Sequence, residues 1–206
     1  MPDGRENAPD GGPGPRQRDS LHIGLMIASA SLFLYQCSAL WFIQDDSFIT
    51  FRYVKNLIAG HGLVYNVGEH VEGYTTFLWT LLLALPSGLG AELLPASQFL
   101  GVLFGCGSLV LLYLLSQQIA AGETDVRLPA MAALLLGANG AFAYWSVSGM
   151  ETAMFTFFLL LSAILFLYER KQEKPGFYTP LSLVLLSLTR PEGVLVSALF
   201  MFSMLF

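Results

Sequence analysis

Residues 21–46 read LHIGLMIASASLFLYQCSALWFIQDD, and this stretch decides the fold. Its first 23 residues are an apolar run of the length that crosses a bilayer as a helix, about 20 residues. The run stops at Gln44, and two adjacent carboxylates, Asp45 and Asp46, follow at once. An ionisable group close to hydrocarbon costs on the order of 2–4 kcal/mol even on lenient scales, so paired acids at such a boundary point to function.

Working outward, further apolar runs occupy residues 97–121, 128–147 and 150–168. Residues 76–91 form a shorter run interrupted by Pro86-Ser87-Gly88, and residues 177–206 form a run broken by Arg190-Pro191-Glu192-Gly193. The 206 residues are 54% hydrophobic and only 12% charged, with a mean hydropathy of +0.60, which is far more apolar than a soluble domain. The fold class is therefore all-α, a polytopic transmembrane helical bundle. The net charge of −5 comes without a basic patch and excludes a nucleic-acid partner. Cys37 and Cys106 both fall inside apolar runs, where they act as small hydrophobes and imply no disulfide framework.

The first run is too long for a signal-peptide core and lacks an Ala-x-Ala pattern before Gln44. It reads as a retained anchor whose N-terminal side, flanked by Arg16 and Arg18, stays in the cytoplasm. Residues 1–20, with GGPGP at 11–15, read as a disordered cytoplasmic tail. Residues 21–206 read as one transmembrane module with an outer loop over 44–75.

Within that loop the spacing predicts a helix over residues 47–60. Phe48, Phe51 and Ile58 share one face and Arg52, Lys55, Asn56 and Ala59 another, the pattern of an amphipathic helix lying on the membrane surface. Asp46 or Ser47 could cap its N-terminus, and Gly60-His61-Gly62 suits its end. Capping needs one acid. Two in series, followed by a polar loop with His61, Glu69, His70 and Glu72, exceed what a cap requires.

If every apolar run crossed, ERKQEK at 169–174 would face outward, against the positive-inside rule. Residues 76–91 are thus expected to dip in and return at Pro86-Ser87-Gly88. That places Arg170, Lys171 and Lys174 in the cytoplasm, and Ser148-Gly149-Met150-Glu151 on the same outer side as Asp45 and Asp46.

Hard oxygen ligands on Asp45, Asp46, Glu72 or Glu151 would suit Mg or Mn, while Glu72 and Glu151 fit equally well as plain interfacial acids. No tight ligand spacing includes His61 or His70, which read as solvated. Arg190 is flanked by hydrocarbon, so it faces a cavity, an interface or a partner charge. A lipid phosphate, Glu192 and the cytoplasmic boundary are the open choices. Arg52 and Lys55 could meet lipid phosphates or simply snorkel. Tyr74 or Trp79 could stack on a sugar, with the core or an interfacial belt as the alternative.

Five short motifs then occur in order: Asp45-Asp-Ser-Phe-Ile-Thr-Phe-Arg-Tyr53, His61-Gly-Leu-Val-Tyr-Asn66, Val71-Glu-Gly-Tyr-Thr-Thr76, Ser148-Gly-Met-Glu-Thr152 and Leu188-Thr-Arg-Pro-Glu-Gly193. As an ordered set over residues 21–206 they resemble the N-terminal part of GT-C membrane glycosyltransferases. The nearest branch is that of the mycobacterial terminal arabinofuranosyltransferase and its bacterial relatives. The resemblance implies a bacterial inner-membrane, multi-pass enzyme that takes a sugar from a polyprenyl-phosphate donor. It implies transfer outside the cytoplasm to a hydroxyl of a glycan, lipid or protein acceptor, and a single displacement there would invert the anomeric centre, by analogy with one-step glycoside chemistry. It implies catalysis at Asp45 and Asp46, without saying which is the base. Donor phosphate contacts would fall to Arg52, Lys55 and Arg190, and acceptor or sugar contacts to Glu72, Tyr74 and Glu151. Mg or Mn, if used, would sit on Asp45, Asp46 and Glu151. Relatives of this kind usually continue with more spans, so the chain is expected to be the incomplete front part of such a module. Two other classes stay open. A noncatalytic membrane subunit is one. A small ion-coupled transporter is the other, although it predicts mid-span acids and an inverted repeat, neither of which is visible.

Overall fold

The computed structural model describes residues 15–69, 71, 73–120, 127–172 and 176–203. Among these all the regular structure is helical, without strands. The helices are α1 (Pro15–Ala39), α2 (Ser47–Ile58), α3 (Phe77–Gly88), α4 (Leu93–Ile119), α5 (Leu128–Gly137), α6 (Gly140–Val147), α7 (Thr152–Lys171), α8 (Tyr178–Thr189) and α9 (Glu192–Ser203). Helix α1 begins at Pro15, inside the segment read as a tail; residues 1–14 of that segment lie outside the described residues.

Among the described residues three helices are long and apolar enough to cross a membrane: Ser20–Ala39, Leu93–Ile119 and Thr152–Lys171. A fourth span is available if α5 and α6 count as one, bent by 56°. The apolar run over 128–147 thus holds a break that hydropathy does not register. It falls at Ala138-Asn139, where Asn139 caps α6 by accepting a hydrogen bond from Phe142 N at 3.1 Å.

Helix α3 has 12 residues, about 18 Å of helix, against a hydrocarbon core of about 30 Å. Helix α4 starts beside the point where α1 ends, because Gln98 Nε2 donates to Phe42 O at 3.1 Å. The chain between Phe42 and Leu93 therefore leaves one end of the bundle and returns to it, and the return falls after Gly88 and not at Pro86-Ser87-Gly88, because α3 runs through Pro86 to Gly88 before the chain turns at Leu89 and Gly90.

Helices α1 and α5 run parallel. Ser29 Oγ donates to Ala133 O at 2.7 Å, and Gln36 Nε2 to Gly137 O at 2.8 Å. Helix α4 runs antiparallel to them and packs on α5, α6 and α7. Small residues allow this closeness, as in membrane bundles generally. A Cβ at Gly101 would run into the Ser146 carbonyl, and one at Gly105 into the Phe33 ring. Two buried clusters result. Phe33, Cys37, Leu109, Phe142, Ala143 and Val147 join α1, α4 and α6. Phe51, Val54, Trp79, Leu83, Leu93 and Met154 tie α2 and α3 to α4 and α7. Outward-facing apolar side chains such as Ile23, Ile27, Leu135, Leu195 and Leu199 remain exposed, as lipid contact requires.

Helix α2 departs from the expected faces. Phe51 is buried, but Phe48 and Ile58 are exposed, and Asn56 is buried. The reason is the polar loop, which folds back over α2: Asn56 Nδ2 donates to Val64 O at 2.7 Å and to Tyr65 O at 2.9 Å. The polar face is therefore shared between solvent and the chain's own loop.

Candidate active site

The acid pair is built on a shelf formed by two turns. One is the segment between α1 and α2, and the other is the turn Ser148–Glu151 between α6 and α7. Gln44 N donates to Ser148 O at 2.8 Å. Gly149 has φ +85°, a conformation that L side chains rarely adopt, and its Cβ direction points at Ile43 Cδ1 and Ser47. Trp79, fully buried, donates from Nε1 to Gly149 O at 3.1 Å. Gln98 donates from Nε2 to both Phe42 O and Val147 O at 3.1 Å, so a single amide spans the two turns. Two of the five sequence motifs are thereby brought together at one end of the bundle.

Asp45 and Asp46 are both exposed on this shelf. Asp45 Oδ1 accepts from Gln44 Nε2 at 2.9 Å and from Asp46 N at 3.1 Å. Asp46 occupies the N-cap position of α2, yet its backbone is helical (φ −58°, ψ −24°) and its side chain makes no capping bond. Ser47 Oγ turns back to Gln44 O at 2.6 Å. The capping reading of these residues is thus not realised, because a side-chain cap needs an extended backbone at that position. The Asp46 carboxylate is left without a hydrogen bond or ion pair among the described residues.

Arg52 and Lys55 lie exposed on the outward face of α2. They line a groove of about 420 Å³ with Phe48, Phe51, Glu92 and Leu94, between α2 and the start of α4. Arg52 Nε donates to Tyr65 O at 3.1 Å, and its guanidinium lies 5.9 Å from the Tyr65 ring centroid. Tyr74 packs its ring on Tyr53 at 4.5 Å between centroids. Tyr53 Oη in turn donates to Val71 O and accepts from Gly73 N. Trp79 belongs to the core. Glu72 and His70 lie outside the described residues.

Glu151 and Arg190 come together instead of joining the acid pair. Glu151 is 2% exposed, and its Oε1 lies 3.5 Å from Arg190 Nη1. Arg190 also meets Glu192 Oε1 at 3.2 Å and sits 6.0 Å from the Phe155 ring centroid. Burial pushes the Glu151 carboxyl up from its ordinary range, against the opposing pull of its own backbone hydrogen bond and of the Arg190 guanidinium. Among the described residues no three His, Cys, Asp or Glu side chains gather to hold a metal ion. Sequence reasoning did not single out Gln98 or Gly149. A lone amide near the start of an apolar run was the available signal for the first, and nothing local marks the second.

No family model matches the chain, and no solved structure does. Two curated proteins are similar to parts of it. The terminal beta-(1->2)-arabinofuranosyltransferase of Mycobacterium tuberculosis is 33% identical over 118 residues, 54% of this chain and 19% of that protein. The protein of the same name from Corynebacterium glutamicum is 54% identical over 37 residues, 18% of this chain and 5% of that protein. The similarity thus spans a fifth or less of each relative's length. In these matches the chain resembles the terminal arabinofuranosyltransferase branch of the GT-C membrane glycosyltransferases.

Proposed function

We propose that the chain carries the acid-bearing part of a membrane glycosyltransferase that moves a sugar from a polyprenyl-phosphate donor to an acceptor hydroxyl. The observation that carries this reading is the exposed pair Asp45 and Asp46, on a shelf made by two converging turns, with the Asp46 carboxylate uncommitted. The names of the two relatives point to an arabinofuranosyl unit as the sugar.

One carboxylate takes the proton of the acceptor hydroxyl as its oxygen attacks the anomeric carbon. The bond from that carbon to the phosphate oxygen breaks, polyprenyl phosphate leaves, and a single displacement inverts the centre, by analogy with one-step glycoside chemistry. The other carboxylate orients the acceptor. The Arg52–Lys55 groove, with two cations against the one carboxylate of Glu92 and an otherwise mostly apolar lining, suits a phosphate carried on a lipid. Arg190 is less suited, because two carboxylates already meet its charge. Tyr74, and Glu72 beyond the described residues, are the proposed sugar contacts. Glu151 is turned to Arg190 and is not counted among them. Mg or Mn, if the reaction uses one, would be held by Asp45 and Asp46 with the donor phosphate, the manner in which Mg binds with few protein ligands, and would supply charge for the leaving group. The acid-pair end would face away from the cytoplasm of a bacterial inner membrane, since Arg170 and Lys171 lie at the far end of α7.

The test is sugar transfer from a panel of polyprenyl-phosphate donors by membranes containing this chain within its longest open reading frame. Asp45→Asn and Asp46→Asn are run beside the parent. Loss of at least about 10²-fold in turnover by one variant, with expression and thermal unfolding unchanged, is the expected result. Full activity in both variants would return the acids to a structural role.

A further inference from the structure

Glu151 and Arg190 form a pair in which the carboxylate is buried (2% exposed) and the guanidinium is half-buried (34% exposed), and stability explains it poorly. Taking the Glu151 carboxylate out of water is costly, and the attraction to Arg190 repays it only when every remaining polar atom is satisfied. Here Glu151 Oε2 is buried without a hydrogen-bond partner, and the Oε1–Nη1 separation is a loose 3.5 Å. What the pair does is join two turns. Glu151 closes the turn from α6 to α7, and Arg190 is the extended residue (φ −152°, ψ 151°) that separates α8 from α9.

The first of those turns is the seat of the acid pair. Gln44 N is hydrogen-bonded to Ser148 O, Gly149 lies against Ile43 and Ser47 too closely for a side chain, and Gln44 Nε2 holds Asp45 Oδ1. A continuous path therefore runs from the guanidinium of Arg190 through the Glu151 carboxylate, along three residues of backbone to the Ser148 carbonyl, and across to Gln44 and Asp45. The guanidinium also meets Glu192 and lies over the Phe155 ring of α7, which further orient it toward the α6–α7 turn.

The geometry points to Glu151 and Arg190 as a positioning couple: by pinning the Ser148–Glu151 turn to the α8–α9 break, the ion pair sets where Gln44 places the carboxylates of Asp45 and Asp46. Neither residue touches substrate. The catalytic half of this inference rests on the transferase reading above; the geometric half stands without it.

Arg190→Ala alone would strand a buried carboxylate and could unfold the chain. The informative variant is therefore Glu151→Gln/Arg190→Met, which removes the couple and leaves no buried charge uncompensated, since the Glu192 carboxylate that also meets Arg190 is exposed to solvent. In detergent or nanodiscs, amide hydrogen exchange should be at least about tenfold faster in peptides covering Gln44 to Phe48, with the α1 and α5 peptides unchanged. Transfer should show kcat lowered by about 10²-fold at unchanged KM, the mark of displaced catalytic groups. Unchanged exchange at Gln44, or equal acceleration in α1 and α5, would overturn the inference. A raised KM at unchanged kcat would overturn it too, because the pair would then be binding substrate. If no donor is turned over even by the parent, the transferase reading fails and the exchange data alone decide the positioning role.

Discussion

Gly149 shows how much of the site depends on one residue having no side chain. Its φ of +85° and the contact of its Cβ direction with Ile43 and Ser47 both forbid a methyl group. Gly149→Ala is expected to cost about 1–3 kcal/mol, read as a lowered denaturation midpoint in detergent. It should also depress transfer, because Ile43 and Ser47 flank the acid pair. Trp79→Phe is a milder probe: it leaves Gly149 O buried without its donor and should cost about 1–3 kcal/mol. At this scale the acids were legible in the sequence because charge beside an apolar run is costly and conspicuous. The pairing of Glu151 with Arg190 was not. Its partners come from different helices, and only the packing of α8 on α7 decides which carboxylate the guanidinium meets.

Among the elements, the bent α5–α6 pair was hidden because hydropathy averages over Gly137-Ala138-Asn139-Gly140, where turn-forming residues sit amid apolar neighbours. Asn139 holds the start of α6 through Phe142 N, so Asn139→Ala should cost about 1 kcal/mol, again by thermal unfolding. Helix α2 was legible in extent and only partly in orientation. Its amphipathic spacing is real, but a loop from the same chain covers Asn56, a contact that no helical wheel can register. By contrast, the short length of α3 and its Pro86 followed directly from the sequence, because a helix of 12 residues cannot span hydrocarbon whatever it packs against.

For the whole molecule the arrangement predicts two faces. The loop after α2 and the end of α7 lie at opposite ends of the bundle, so cysteines introduced as Glu69→Cys and Lys171→Cys should react with a membrane-impermeant maleimide from opposite sides. Cys37 is buried and Cys106 partly so, which keeps the background low. Labelling of both from one side would refute the crossing pattern. The long apolar helices were readable from run lengths, since these follow from the energetics of lipid as a solvent, and the side each loop faces is what the labelling decides. The convergence of the motifs on one shelf required the folded chain. Gln98 carries a mechanical consequence. Because one amide donates to the carbonyls of both Phe42 and Val147, the two turns are tied to each other through the start of α4. The acid-bearing surface then travels as one plate with the α6–α7 turn, so that a shift at either turn is felt at Asp45 and Asp46.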